Sequence, residues 1–296
     1  MNSLNGLVRI DKPAGCTSHD IVIRWRRLSS VKRVGHLGTL DPMATGLLLL
    51  LSGSATRLAP FYARAEKTYL AKIRFGAVSD TYDAEGLVRE TGLPAPSDWN
   101  TLDKALDRFR GKFSQVPPAV SAKKVRGTPA YKLARKQIEF ELKPVEVEVQ
   151  SLELRKVEPG FAEILVRCSA GTYIRSMAHD LGQHLGCGAL LSELRRVRIS
   201  NFQVEDSMTL EQLEELARLG QLSDAVQRSS FLLPDLPAEH YPDEAVVQIR
   251  QGRDFHASPF VIPPGAPLIK ALDSSGELVA IAEMTIPNTY HPKIVL

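Results

Sequence analysis

Apolar positions recur along this chain with two periods, and each period predicts an element. From Thr68 to Phe75 the pattern alternates, placing Tyr69, Ala71, Ile73 and Phe75 on one face of a strand. Val145 to Val149 alternates with glutamates, and Ala162, Ile164, Val166 and Cys168 alternate with Glu163, Leu165 and Arg167, so both segments read as strands. Leu7 to Ile10 predicts a short strand stopped by the turn Asp11-Lys12-Pro13-Ala14-Gly15, and Leu47 to Leu51 is an unbroken buried strand. Helical spacing places Ile21, Val22, Trp25 and Leu28 behind an N-cap at Ser18, and groups Leu102, Ala105, Leu106 and Phe109 on a second helix. Gly171-Thr172 starts a third helix carrying Ile174, Ala178 and Leu181 inward, and Thr209 with Gln212 forms a capping box ahead of Leu210, Leu213 and Leu216.

Pro234, Pro237 and Pro242 punctuate a boundary, beyond which Leu268–Leu272 and Leu278–Ala282 flank the hairpin turn Asp273-Ser-Ser-Gly-Glu277. A larger domain over 1–236 and a small β-rich domain over 237–296 are expected. Because helices and strands alternate irregularly and strands come in hairpin-like pairs, the fold class is α/β of the α+β kind. Its sheet should be mixed and largely antiparallel.

Composition narrows the class. Hydrophobic residues make up 44% and charged residues 24% of 296, which excludes a disordered or fibrous chain. No aliphatic run approaches the roughly 20 residues of a membrane span, and the polar start predicts no secretory signal. Cys16, Cys168 and Cys187 form no CxxC pair, so neither a disulfide framework nor a zinc ribbon is expected and a reducing cytoplasm is the simplest setting.

Net charge is only +3, yet its distribution is uneven. Lys123, Lys124, Arg126, Lys132, Arg135 and Lys136 follow one another with no acid between them, in a stretch from about 117 to 140 with little core-forming periodicity. Arg24, Arg26, Arg27, Lys32 and Arg33 form a second group, and Arg195, Arg196 and Arg198 a third. Any one cluster is as readily a solvated face; three together fit a polyanion docked on one side.

The most informative stretch is Gly35-His36-Leu37-Gly38-Thr39-Leu40-Asp41-Pro42-Met43-Ala44-Thr45-Gly46. Its glycines permit backbone conformations closed to other residues, Pro42 stiffens the exit, and the strand behind it anchors the loop at the rim of a core. An aspartate presented in this way serves as nucleophile, general base or metal ligand, unless it merely closes its own turn. This loop resembles the signature loop of the bacterial tRNA pseudouridine synthase B family. Asp11-Lys12-Pro13 with Gly15, Lys67-Thr68-Tyr69, Thr81-Tyr82-Asp83 through Gly86, Ser121-Ala122-Lys123, Gly171-Thr172-Tyr173-Ile174-Arg175 and Leu194-Arg195-Arg196 resemble family motifs in the same order. Three positions depart from the common pattern: Leu37 stands where Thr is frequent, Val120 where Tyr is, and Gln137 where Gly is.

The resemblance implies an isomerase that converts the T-loop uridine of tRNA, conventionally position 55, to pseudouridine after flipping the base out. It implies no cofactor and no metal, a monomer needing no protein partner, no membrane, and a terminal module like the RNA-binding PUA domain. Asp41 is then the nucleophile, Arg175 its guanidinium partner, and Tyr69 the ring that stacks on the target base. His36 inserts into the opened T-loop, Leu194 lines the uracil pocket, and Lys12, Lys123, Lys124 and Arg126 bind the substrate RNA. Asp80, Asp83 and Glu85 fit no EF-hand spacing, and His179 and His184 are five apart rather than four, so neither group is read as a metal site. Two other classes compete. An RNA-folding chaperone would not need Asp41, Tyr69 and Arg175; a carbohydrate enzyme would need a second motif-borne carboxylate, and none is apparent.

Overall fold

The alternating segments become the middle of one large sheet in the computed structural model, which describes residues 4–121, 123–125, 127–136 and 138–296. Its strands run in the order Val226–Arg228, Gly6–Lys12, Thr45–Ser52, Ala189–Ile199, Lys67–Phe75, Phe161–Cys168, Val145–Glu158 and Gly111–Gln115. Pairing along this path is antiparallel except where Thr45–Ser52 lies parallel to Ala189–Ile199, with Arg195 opposite Thr45 and Arg196 opposite Gly46. That parallel step is where the glycine-punctuated loop enters the sheet.

Both sides of this region are covered. Leu47, Leu49 and Leu51 join one apolar cluster while Leu48 and Leu50 join another, so the unbroken leucine run has no polar face because neither face meets water. Tyr69, Ala71, Ile73 and Phe75 share one face and pack with Leu102, Ala105, Leu106, Ile174, Ala178 and Leu181. The helix of Leu102 spans Trp99–Leu106 behind the N-cap Asp98, and Phe109 is buried just beyond it in a 3₁₀ turn. Thr209 and Gln212 cap Leu210–Arg218 as the pattern predicts.

Two helix starts differ from the sequence reading. The first helix, Ser18–Ser29, is capped by Thr17: its hydroxyl accepts from Asp20 N at 3.1 Å, and Asp20 accepts from Thr17 N at 2.8 Å. Ser18 lies inside the helix, where its hydroxyl binds both polar groups of the Leu40 backbone, at 2.8 and 3.2 Å. The helix of Arg175 begins at Ile174, three residues after Gly171, because Gly171 at φ +90° turns the chain and the Thr172 hydroxyl donates to Ser169 O. The basic stretch is also more structured than its composition suggests. Lys124–Val125 pairs with Thr128–Pro129, and a short helix spans Ala130–Arg135.

Past the prolines, a second sheet runs Ala238–His240, Leu268–Leu272, Leu278–Ile286, Thr289–Val295 and Phe255–His256, with the expected hairpin at its centre. Leu272, Leu278 and Ile281 share an apolar cluster with Leu7, Leu51 and Leu58 of the larger unit, and Lys270 Nζ donates to Ser230 O and Leu232 O across the connection. No helix among the described residues is long and apolar enough to cross a membrane.

Candidate active site

The loop before Thr45–Ser52 is held from three directions, and each hold has a chemical reason. Arg196 extends from the neighbouring strand and is fully buried. It donates to Leu47 O at 2.7 Å, Gly38 O at 3.0 Å and Thr39 O at 3.4 Å. Lys12, equally buried, donates from Nζ to Cys16 O at 2.7 Å, Pro13 O at 2.8 Å and Pro42 O at 3.2 Å. Ser18 fixes Leu40. Gly46 lets the strand close on Arg196: a Cβ there would lie 2.3 Å from Arg196 O, at a φ of +97°.

So held, Asp41 projects into a cavity of about 300 Å³ lined also by Tyr69, Leu194, Arg175, Lys67 and Tyr173. The Asp41 carboxylate is 35% exposed, and Arg175 grips it side-on, Nε to Oδ2 at 3.0 Å and Nη2 to Oδ1 at 3.2 Å. The rest of the guanidinium is occupied as well. Nη2 donates to Val120 O at 2.9 Å and Nη1 to Thr81 O at 3.1 Å, and Nη1 lies 3.3 Å from Asp83 Oδ2. Arg175 therefore joins the aspartate, the root of the basic insertion and the turn around Thr81. Burial pushes the Asp41 carboxyl above the usual carboxylate range; Arg175 opposes this, Asp83 adds to it, and Lys12 opposes it weakly. Desolvation wins, so the guanidinium moderates the rise without cancelling it.

Tyr69 is 8% exposed, and it stands opposite Arg196 in the strand pairing. Burial raises the Tyr69 phenol above its ordinary value, so at neutral pH it is a protonated ring suited to stacking. Leu194, on the adjacent strand opposite Ala71, adds an apolar surface to the same cavity.

Other expected site residues lie elsewhere. His36 ends the short strand Val34–His36 and does not line the cavity; burial, with Arg196 and His19 nearby, lowers its pKa and leaves the ring neutral. Lys12 was expected on the RNA, but its ammonium is enclosed by the loop's own carbonyls. It positions Pro42 and therefore Asp41. Lys123 and Lys124 are exposed on the basic insertion, beside a separate groove shared with Ile138 and Leu142. Arg126 lies outside the described residues, as does Gln137. The third basic cluster is not a free patch: Arg196 is buried, Arg195 pairs with Asp11 at 2.7 and 2.9 Å, and Arg198 donates to Ser200 O.

Asp83 is the residue that sequence reasoning passed over. Its side chain is 4% exposed; Oδ1 accepts from the Thr81 hydroxyl at 2.6 Å and from Glu85 N at 3.1 Å, leaving Oδ2 for Arg175. Tyr82, between them, stacks on His179 one turn beyond Arg175, with ring centroids 3.8 Å apart. Asp83 does not line the cavity, so it is no second acid for glycoside chemistry. Nothing local in Thr81-Tyr82-Asp83 shows that this acid is buried against Arg175.

Residues 26–174 match the family of TruB pseudouridylate synthase N-terminal domains, and residues 175–234 match the tRNA pseudouridylate synthase B C-terminal domain. The chain belongs to the TruB family of pseudouridylate synthases. It is 49% identical to tRNA pseudouridine synthase B of Solibacter usitatus over 99% of this chain and all of that protein. Over 95% of this chain and 93% of that protein, it is 38% identical to the tRNA pseudouridine synthase B of Geobacter sulfurreducens. Among solved structures, a Cbf5-Nop10-Gar1 complex contains a chain that matches with a TM-score of 0.69 at 27% identity, covering 96% of this chain and 79% of that one. Membership makes it a pseudouridine synthase, an isomerase, and the mixed, largely antiparallel sheet is that of its structural neighbours.

Proposed function

We propose that this enzyme isomerises uridine-55 in the T-loop of tRNA to pseudouridine, with Asp41 as the nucleophile on a flipped-out base. The observation that carries the reading is the Asp41–Arg175 pair, 3.0 Å apart, in a cavity floored by the ring of Tyr69. Isomerisation breaks the C1′–N1 bond, turns the uracil and rejoins it through C5, whose hydrogen leaves to solvent while N1 takes one up. Atoms and electrons balance without a co-substrate, so a carboxylate and a shaped pocket suffice. Extruding the base costs a few kcal/mol of unstacking, offset by stacking on Tyr69 and by phosphate contacts. Lys123, Lys124 and Arg126 supply those contacts from the basic insertion, and His36 fills the space the base vacates. The relatives named tRNA pseudouridine synthase B support tRNA as the RNA. We assign residues 1–236 to the catalytic unit and 237–296 to a PUA-like module that extends the RNA surface.

With a T-arm stem-loop tritiated at C5 of uridine, the wild-type enzyme is expected to release one equivalent of tritium, with no metal or cofactor added. Tight binding without release would make the protein a chaperone instead. Replacing Lys123 and Lys124 by Ala should lower the slope of log affinity against log salt by about 1.8, at roughly 0.9 for each phosphate no longer neutralised. An unchanged slope would take the insertion off the RNA.

A further inference from the structure

Lys67 has no role in the arrangement so far, yet its placement is costly. It opens the strand Lys67–Phe75, is 8% exposed, and lines the same cavity as Asp41 and Tyr69. Its ammonium makes a hydrogen bond to Ala65 O at 2.6 Å, and among the described residues no carboxylate pairs with it. Arg196, a second buried cation, is close by: the Lys67 Cε and Arg196 Nη1 lie 3.2 and 3.4 Å from where a Gly38 Cβ would sit. The neighbouring Cys168 thiol does not neutralise the pair, since burial raises it to about 11. Burying a cation beside another cation is unfavourable unless an anion arrives. Lys67 and Tyr69 sit two apart on one strand face, about 7 Å along the strand, and both line the same base-sized cavity.

We propose that Lys67 is a catalytic residue that holds the detached uracil, its ammonium facing the negative charge spread over the ring's carbonyl oxygens. This rests on the isomerisation reading above. When C1′–N1 breaks, its electron pair stays on the base, and the charge is shared between N1, O2 and O4. That pair then forms the C5–C1′ bond as C1′ gives up its bond to Asp41, which discharges the ring; C5 afterwards loses its proton to solvent and N1 takes one up. Burial and then Arg196 lower the Lys67 pKa, an arriving anion opposes both, and Lys67 transfers no proton in the reaction. The cation serves two purposes: it stabilises the charge as it develops, and it keeps the free base in the pocket while it turns. A phosphate is the other anion a lysine could take, but the depth of Lys67 beside Tyr69 favours the base.

The test uses the full-length enzyme and a T-arm stem-loop carrying tritium at C5 and ¹⁴C in the uracil ring. Lys67→Gln retains a donor for Ala65 O and removes the charge; Lys67→Arg retains the charge; Lys67→Met removes both. At saturating enzyme, Lys67→Gln and Lys67→Met should slow single-turnover tritium release by about 10²-fold, as loss of one charge-stabilising donor does. RNA affinity should stay within about threefold, free ¹⁴C-uracil should appear among the products, and Lys67→Arg should recover most of the rate. If affinity falls tenfold while the saturated rate is unchanged, Lys67 binds a phosphate and the proposal is wrong. A wild-type saturated rate in Lys67→Gln also overturns it, even if Lys67→Met does not fold. Failure of the wild-type enzyme to release tritium would defeat the isomerisation reading itself and is seen in the control.

Discussion

Asp41→Asn is expected to bind the T-arm stem-loop at least as tightly as the wild-type enzyme and to release no tritium. The amide fills the same space against Arg175 but carries neither the negative charge nor the nucleophilic oxygen, so the rate should fall by about 10⁴-fold or more. Binding is spared because the carboxylate contributes little to ground-state recognition of a polyanion. Its burial already pushes its pKa up, and removing a partly desolvated negative charge beside incoming phosphates relieves repulsion. Filter binding and single-turnover release on one preparation separate the two effects. Tritium release at the wild-type rate would remove Asp41 from the chemistry, and loss of binding together with activity would mean that the loop had collapsed.

How legible the site was depends on what each residue had to reveal. Asp41 and Leu194 rested on the motif alone, whereas for Tyr69 motif and periodicity agree: the alternation of Thr68–Phe75 fixes which face Tyr69 takes, and the structure puts that face into the core and cavity. The polar residues that hold the loop were not legible, for a shared reason. Lys12 and Arg196 are cations, and a cation in a sequence reads as surface, whereas here both are enclosed by backbone carbonyls the loop must satisfy. Parity along Ala189–Ile199 held the clue, since Arg196 falls on the same side as Leu194, which is inward. Ser18 was misread as a cap because Thr17 and Asp20 form the capping box one residue earlier, which frees the serine to bind Leu40. Asp83 required knowing that two distant segments converge on one guanidinium, a long-range pairing that local pattern does not contain. The parallel step between Thr45–Ser52 and Ala189–Ile199 was invisible on the same ground, although a mixed sheet was expected.

Arg175→Met and Asp83→Asn should both impair the enzyme, but their pH profiles should move in opposite directions. As the proposed nucleophile Asp41 has to be ionised, so activity is expected to rise with pH through its pKa, which burial pushes up, Arg175 pulls down and Asp83 pushes up. Removing the guanidinium leaves desolvation and the Asp83 charge unopposed, so the acidic limb of Arg175→Met shifts to higher pH. At neutral pH its rate falls by about 10³-fold. Its stability carries the same sign. A carboxyl whose folded pKa lies above the unfolded one holds its proton longer when folded, so stability declines as pH rises from the ordinary carboxylate value through the raised one. In Asp83→Asn the repulsion on Asp41 disappears and Arg175 has one anion to serve, so the limb shifts to lower pH. The loss there is one of position: the amide bonds Arg175 less firmly, the guanidinium drifts from the Thr81 turn, and the rate falls by about 10²-fold. Rate profiles between acid and neutral pH, with thermal melts at the same points, check both variants. If the two limbs shift in the same direction, Asp83 acts on Asp41 only by holding Arg175, and the direct repulsion between the two carboxylates is negligible.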